Sequence, residues 1–170
     1  MVDKLLPDDI VGEELLENIK ALLRSGDFLK AEQQLLDIVV AGPDHEEVLY
    51  MLAVCQRYLK KYSAALTNLD KLKSLVPDHS RGHQETGHVY RAMNNADAAL
   101  NAYSRAIQIN PALFASFRAQ IDILSATGRE SVTGPLKRQL ESLEALPKVL
   151  VGVMDLIAHG KLVKAEELCK

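Results

Sequence analysis

His83, Glu85 and His88 invite a zinc reading, since imidazole and carboxylate are ligands that zinc accepts. Two histidines share a helix face when they stand four apart, as in H-E-x-x-H, whereas the spacing of five here turns them to different sides. Both therefore read as structural: His83 falls where a bulky residue wedges between helical hairpins, and His88 lies one turn further round. Cys55 and Cys169 are too few and too isolated for a disulfide framework or a four-cysteine metal site, and each reads as a small core residue. Nothing near Cys55 marks it as an activated nucleophile, and no Ser/His/Asp or Cys/His set emerges. The carboxylate pairs Glu46-Glu47 and Glu166-Glu167 suit solvent or helix N-termini, where negative charge meets unpaired amides. The residues thus predict no catalytic group, no metal and no cofactor. The expected function is to hold another molecule.

Composition bounds the partner. The net charge of −3 is spread along the chain without a basic run that could neutralise a phosphate backbone, so nucleic acid is not expected. The segment Met1 to Ile10 carries Asp3, Asp8 and Asp9 and has no apolar stretch of a leader, and no run of about 18 apolar residues follows it. No membrane association and a cytoplasmic location are the expectation. With 48% hydrophobic residues, only 5% aromatics and no tryptophan, the chain is rich in side chains that lose little rotamer freedom in helices. An all-α fold follows.

The elements that must position any binding residues come from a period. Pro43, Pro77 and Pro111 stand 34 residues apart, Ala31, Ala65 and Ala99 keep the same phase, and Gly26-Asp27, Lys60-Lys61 and Asn94-Asn95 occupy one equivalent turn. Between these landmarks Tyr62, Ala65, Leu66, Leu69, Leu72 and Val76 follow i, i+3, i+4, i+7 spacing, one apolar stripe on a helix. Each unit is therefore expected to be two amphipathic helices joined by a polar turn. Asp44 with Glu47 reads as a capping box, and Asn110-Pro111 as a cap followed by a first helical position. Ala53 and Gly87 in first helices, with Ala65 and Ala99 in second helices, mark the places where paired helices must approach closely.

The phase predicts full repeats at 12–45, 46–79 and 80–113, a degenerate one at 114–147 and a partial fifth at 148–170. In the fourth, Gly134-Pro135 should delay the second helix until near Pro135, from where it runs to about Leu146. The fifth stops at Lys170 within a helix and carries no polar capping helix, so the chain reads as one portion of a longer protein. Its apolar stripe of Val149, Val153, Leu156, Leu162 and Leu168 makes a homodimer the alternative expectation.

A 34-residue period with Gly87, Tyr90, Ala99, Tyr103, Ala106 and Pro111 in place resembles the tetratricopeptide repeat. The resemblance implies a right-handed superhelical solenoid of antiparallel hairpins. Cys55-Gln56-Arg57-Tyr58-Leu59-Lys60, Arg81-Gly82-His83-Gln84-Glu85 and Ala102-Tyr103-Ser104-Arg105-Ala106 further resemble the N-terminal repeat region of bacterial tetratricopeptide-repeat sulfotransferases. In that family a Pro-Arg-Ser-Gly-Ser/Thr loop binds phosphoadenosine phosphosulfate. The nearest string here, Arg24-Ser25-Gly26-Asp27, lacks the proline and falls on the repeat's own turn, so that likeness implies a non-catalytic part.

The repeat resemblance also implies a concave face lined by first helices. Carried onto this chain, the groove residues are Lys20, Tyr50, Arg57, Tyr58, Arg81, Gln84, His88, Arg91 and Arg118, with Glu13, Glu47 and Asp122 as acidic members of the same face. Arginine forks bind carboxylates and tyrosines add rigid contact area, which points to a protein or peptide partner bearing acidic groups. The Lys/Asn two-carboxylate clamp of chaperone-tail binders is missing at Leu16, Lys20 and Met51 and again at Tyr50, Val54 and Glu85.

Overall fold

A computed structural model describes residues 12–42 and 44–169. The expectations for Met1 to Ile10 and for Pro43 lie outside them. The described residues are helical: α1 Glu13–Ser25, α2 Phe28–Ala41, α3 Glu46–Tyr58, α4 Tyr62–Leu75, α5 Ser80–Ala92, α6 Ala96–Ile109, α7 Phe114–Ala126, a 3-10 turn Glu130–Val132, α8 Thr133–Glu144, α9 Lys148–Ala158 and α10 Leu162–Leu168. Consecutive helices pair as hairpins, the architecture of a helical solenoid. The chain divides into two compact units, Met1–Pro77 and Asp78–Lys170.

One turn geometry recurs inside the hairpins, and its chemistry explains the period. Gly26 has φ 80° and closes α1, with its own N–H on Leu23 O at 3.2 Å and the Asp27 N–H on Leu22 O at 3.0 Å. These two bonds satisfy carbonyls left open at the helix end. Asp27 then starts α2 by accepting from the Lys30 N–H at 3.3 Å. The same pair of closing bonds recurs at Lys60-Lys61 and Asn94-Asn95, where Lys60 and Asn94 take φ 60° and 58°. It recurs again at Gly128-Arg129 and Gly160-Lys161.

In the first unit α3 is buried nearly all round, through Val48, Leu49, Met51, Leu52, Ala53, Cys55 and Gln56. Leu16 and Ile19 of α1, with Ala31, Leu35 and Ile38 of α2, pack on it. Ala53 and Ala65 are fully buried, as close approach of the helices requires. Two buried polar groups are matched: Asn68 donates to Gln56 Oε1 at 2.8 Å, and Glu32 accepts from Lys61 at 2.6 Å. A buried amide or carboxylate left without such a partner would cost on the order of 1–3 kcal/mol.

The second unit is centred on Tyr103 and Phe117, both fully buried. Gly87 of α5 lies flat against Tyr103, and a Cβ there would stand 2.6 Å from the ring. Ala99, Ala119 and Ile123 complete this cluster. The fourth hairpin replaces the start of a second helix with the 3-10 turn Glu130–Val132, after which α8 begins at Thr133. Pro135 thus sits in the first turn, where its missing N–H has no intrahelical partner to lose. The helix begins two residues before Pro135 and ends at Glu144.

Three local expectations are corrected. The cap of α3 is His45, whose Nδ1 accepts from the Glu47 N–H at 3.2 Å, while Asp44 faces Lys71 at 3.6 Å. Asn110 does not start α7: it closes α6, and its Oδ1 accepts from the Ala112 N–H at 2.9 Å, so the turn runs on to Leu113 before α7 begins. Cys55 is a core residue, but Cys169 is exposed, because α10 buries Ala165 alone among its residues.

Candidate functional site

The residues expected to line a groove fall in both units. In the first, Lys20 of α1 bridges Glu17 at 3.0 Å and Glu47 of α3 at 2.8 Å. Those two carboxylates raise the lysine's pKa above its ordinary value, through hydrogen bonds to Glu47 first and Glu17 second. Tyr50 is half-buried against the hydrophobic core of α1 to α3. Tyr58, at the end of α3, stacks on Phe28 at the start of α2 with ring centroids 4.1 Å apart and planes 5° from parallel. Arg57 lies over the same ring, its Cζ 4.2 Å from the centroid. Stacked rings and a cation above a ring face attract one another, so Arg57, Tyr58 and Phe28 form one stack.

In the second unit the cations meet acids from the helices that follow. Arg91 of α5 faces Asp122 of α7 at 3.5 Å, and Arg118 of α7 pairs with Glu144 of α8. Arg81, near the start of α5, reaches Asp155 of α9 at 3.4 Å. Gln84 donates to Ser116 Oγ at 2.9 Å, tying α5 to α7. His88 turns inward: its Nδ1 is 2.7 Å from the Tyr103 hydroxyl, and the two rings meet edge to face. That bond gives the buried phenol a partner and accounts for His88 without a metal. Among the described residues, no group of three or more His, Cys, Asp or Glu side chains could hold a metal ion.

Beside the Arg91–Asp122 pair a cavity of about 270 Å³ is lined by Arg91, Asn94, Ala96, Asp122, Ile123 and Thr127. The left-handed turn at Asn94 forms part of its wall, so the geometry that closes α5 also shapes this hollow. Its lining mixes a guanidinium with apolar side chains, a surface suited to an amphipathic side chain.

Cys55 has no chemistry to offer. Burial, and secondarily the Glu32 carboxylate, push its thiol up to about 12, which holds it protonated.

Of the partners of these cations, Glu47 and Asp122 are legible as members of the same face, whereas Glu17, Glu144 and Asp155 are not. Asp155 carries a signal that could have found it, since it is the sole charge between Val149 and Ala158 in an otherwise apolar helix.

Two helix pairs with one turn geometry and small residues at their crossings decide the type of repeat, and sequence comparison agrees. Family models described as tetratricopeptide repeat match residues 47–79 and 81–113. Residues 47–79 and 81–113 thus carry two tetratricopeptide repeats. No curated protein sequence matches it. Among solved structures, a crystal structure of MamA is 21% identical, with TM-score 0.71 over 80% of this chain and 78% of that one. A second crystal structure of MamA is 22% identical, with TM-score 0.68 over 75% of this chain and 70% of that one. MamA from residue 41 to its end, from Desulfovibrio magneticus RS-1, is 18% identical, with TM-score 0.70 over 78% and 75%. At these identities the likeness is one of fold. Tetratricopeptide repeats support a protein-interaction module, and nothing in the site indicates an enzyme. No helix among the described residues is long and apolar enough to cross a membrane.

Proposed function

We propose that the chain holds an acidic peptide or partner domain against the first helices of its repeats, with the α5–α7 face as the main contact. The observation that carries this reading is the Arg91 hollow: an arginine about half exposed, beside a cavity of about 270 Å³ with an apolar wall. Arg118 and Arg81 stand on first helices of the same unit. Arg91 and Arg118 each already meet one carboxylate across an exposed contact. Exposed ion pairs of this kind contribute only about 0–1 kcal/mol, so a partner's carboxylates can exchange with them at small cost.

Binding to an array of acidic, neutral and basic peptides tests the reading. Arg91→Glu should weaken the acidic peptides by about tenfold, the effect of about 1.4 kcal/mol. Arg57→Glu should act in the same direction in the first unit. An array on which both variants bind as the parent does would remove the proposal.

Self-association is a second reading, favoured by one observation: Val149, Leu150, Ile157, Leu162 and Val163 of α9 and α10 are all about half exposed or more. Apolar surface of this extent commonly marks a contact. A concentration-dependent dimer in light scattering that Leu162→Lys abolishes would support it, and a monomer at all concentrations would end it. The similar structures named are MamA chains, so the sulfotransferase resemblance rests on sequence strings alone.

A further inference from the structure

The last hairpin holds on to the rest of the second unit by an unusual means. Its first helix, α9, has no buried residue although nearly every side chain in it is apolar. Its one acid, Asp155, is two-thirds buried and receives two donors from elsewhere in the chain. Asn110 Nδ2 donates to Oδ1 at 2.8 Å, and Arg81 Nη2 lies 3.4 Å from Oδ2. Each carboxylate oxygen therefore meets its own donor.

The donor side of this contact is built, and α9 is not. Asn110 is fully buried, and its Oδ1 is spent on the Ala112 N–H, which fixes the direction of the amide hydrogens. Arg81 is the second residue of α5, held on a helix whose Gly87 is pressed against Tyr103. A rigid buried amide beside a half-exposed guanidinium is a preformed receptor for one carboxylate. The group it receives sits on a helix with little packing of its own, so release of α9 gives up few other contacts.

We propose that Arg81 and Asn110 form a carboxylate seat for an acidic residue of a partner protein, and that Asp155 fills this seat until the partner displaces it. The inference rests on the reading of an acidic partner at the first helices and adds the place and the gate. A ligand competing with an internal occupant binds more weakly by the fraction of molecules whose seat is open. Removing the Asp155 charge should raise that fraction.

The test uses the full chain and a fluorescent hexaglutamate peptide at low salt. Asp155→Asn keeps the volume of the side chain but loses the charge. It should speed hydrogen exchange in residues 148–168 by about tenfold, leave α5 and α6 unchanged, and tighten hexaglutamate binding by about tenfold. Arg81→Gln should loosen the same hairpin yet weaken the peptide. These opposite signs on one background of opening identify the seat. If Arg81→Gln tightens the peptide as Asp155→Asn does, α9 only blocks the face and the seat is overturned. If hexaglutamate binds the parent and Asp155→Asn equally, while Arg91→Glu weakens it, the acidic-partner reading stands and this inference alone falls. Failure of every variant to bind hexaglutamate removes both.

Discussion

The hairpins α5–α6 and α9–α10 share one turn geometry and differ in almost everything else. Val89, Tyr90 and Ala92 are the only apolar side chains of α5, yet Ser80, Gly82, Glu85, Gly87 and Val89 are all buried. In α9 Val149, Leu150, Val151, Val153, Met154, Leu156 and Ile157 crowd one short helix, and none is buried. Apolar content therefore does not set packing in these repeats. What sets it is fit: the absent side chain at Gly87 admits the Tyr103 ring, and the ring fills the space. The last hairpin has the material for a core without a complementary partner among the described residues, and is anchored through Asp155.

The largest expected contrast lies between the two cysteines, one in the packed interior and one beyond α10. A thiol pushed up to about 12 from 9.0 has roughly a thousandfold less thiolate at pH 8 than the same residue in the unfolded chain. Titration with a thiol reagent at that pH should show one prompt equivalent, Cys169, and a second only when denaturant is added. Two prompt equivalents in the native protein would show that α3 is not the sealed helix described. The sign for stability follows from the raised value: the contribution from burying a neutral Cys55 is intact below about pH 9 and is lost as the pH rises toward 12.

Alanine at two glycines compares the hairpins directly. At Gly87 a Cβ meets the buried Tyr103 ring at 2.6 Å, so Gly87→Ala should cost about 2–3 kcal/mol in urea unfolding, as overpacking does. At Gly152 the nearest atom is the tip of the Leu168 side chain at 3.1 Å, a flexible and exposed neighbour that can move. Gly152→Ala should therefore stabilise by about 0.5–1 kcal/mol through helix propensity. Equal costs at the two positions would mean that α9 is as tightly packed as α5. A smaller effect of about 1 kcal/mol is expected from Tyr103→Phe, which removes the partner of His88 Nδ1 while leaving the ring in place.

Much of the fold can be read in the sequence because its signals are local. The turn pairs at Gly26, Lys60 and Asn94 recur in one phase, and the small residues Ala53, Ala65, Gly87 and Ala99 mark the close crossings. The helix starts were less legible: polar residues near a start compete for the cap, and His45 and Leu113 take positions that Asp44 and Asn110 seemed to fill from spacing alone. For the site, periodicity tells which side chains share a helix face, but not which acid of a later helix meets each arginine. Arg81 and Asp155 are 74 residues apart, and their contact depends on where α9 is placed after Pro147. The stacking of Tyr58 on Phe28 joins residues 30 positions apart and has no counterpart in the periodicity.

The smallest effect tests the turn that all the hairpins share. Lys60 and Asn94 hold the left-handed conformation that glycine supplies at Gly26, Gly128 and Gly160. For a lysine this conformation costs roughly 1–2 kcal/mol relative to the right-handed region, less for an asparagine, whose side chain bonds locally. Glycine removes that strain but gives back part of the gain through its greater freedom in the unfolded chain. Lys60→Gly should thus raise stability by about 0.5–1 kcal/mol and Asn94→Gly by less, measured as shifts in the urea midpoint at constant slope. A loss at Lys60 would mean that the left-handed turn is not the strained element, and that contacts of the lysine side chain hold the α3–α4 hairpin closed.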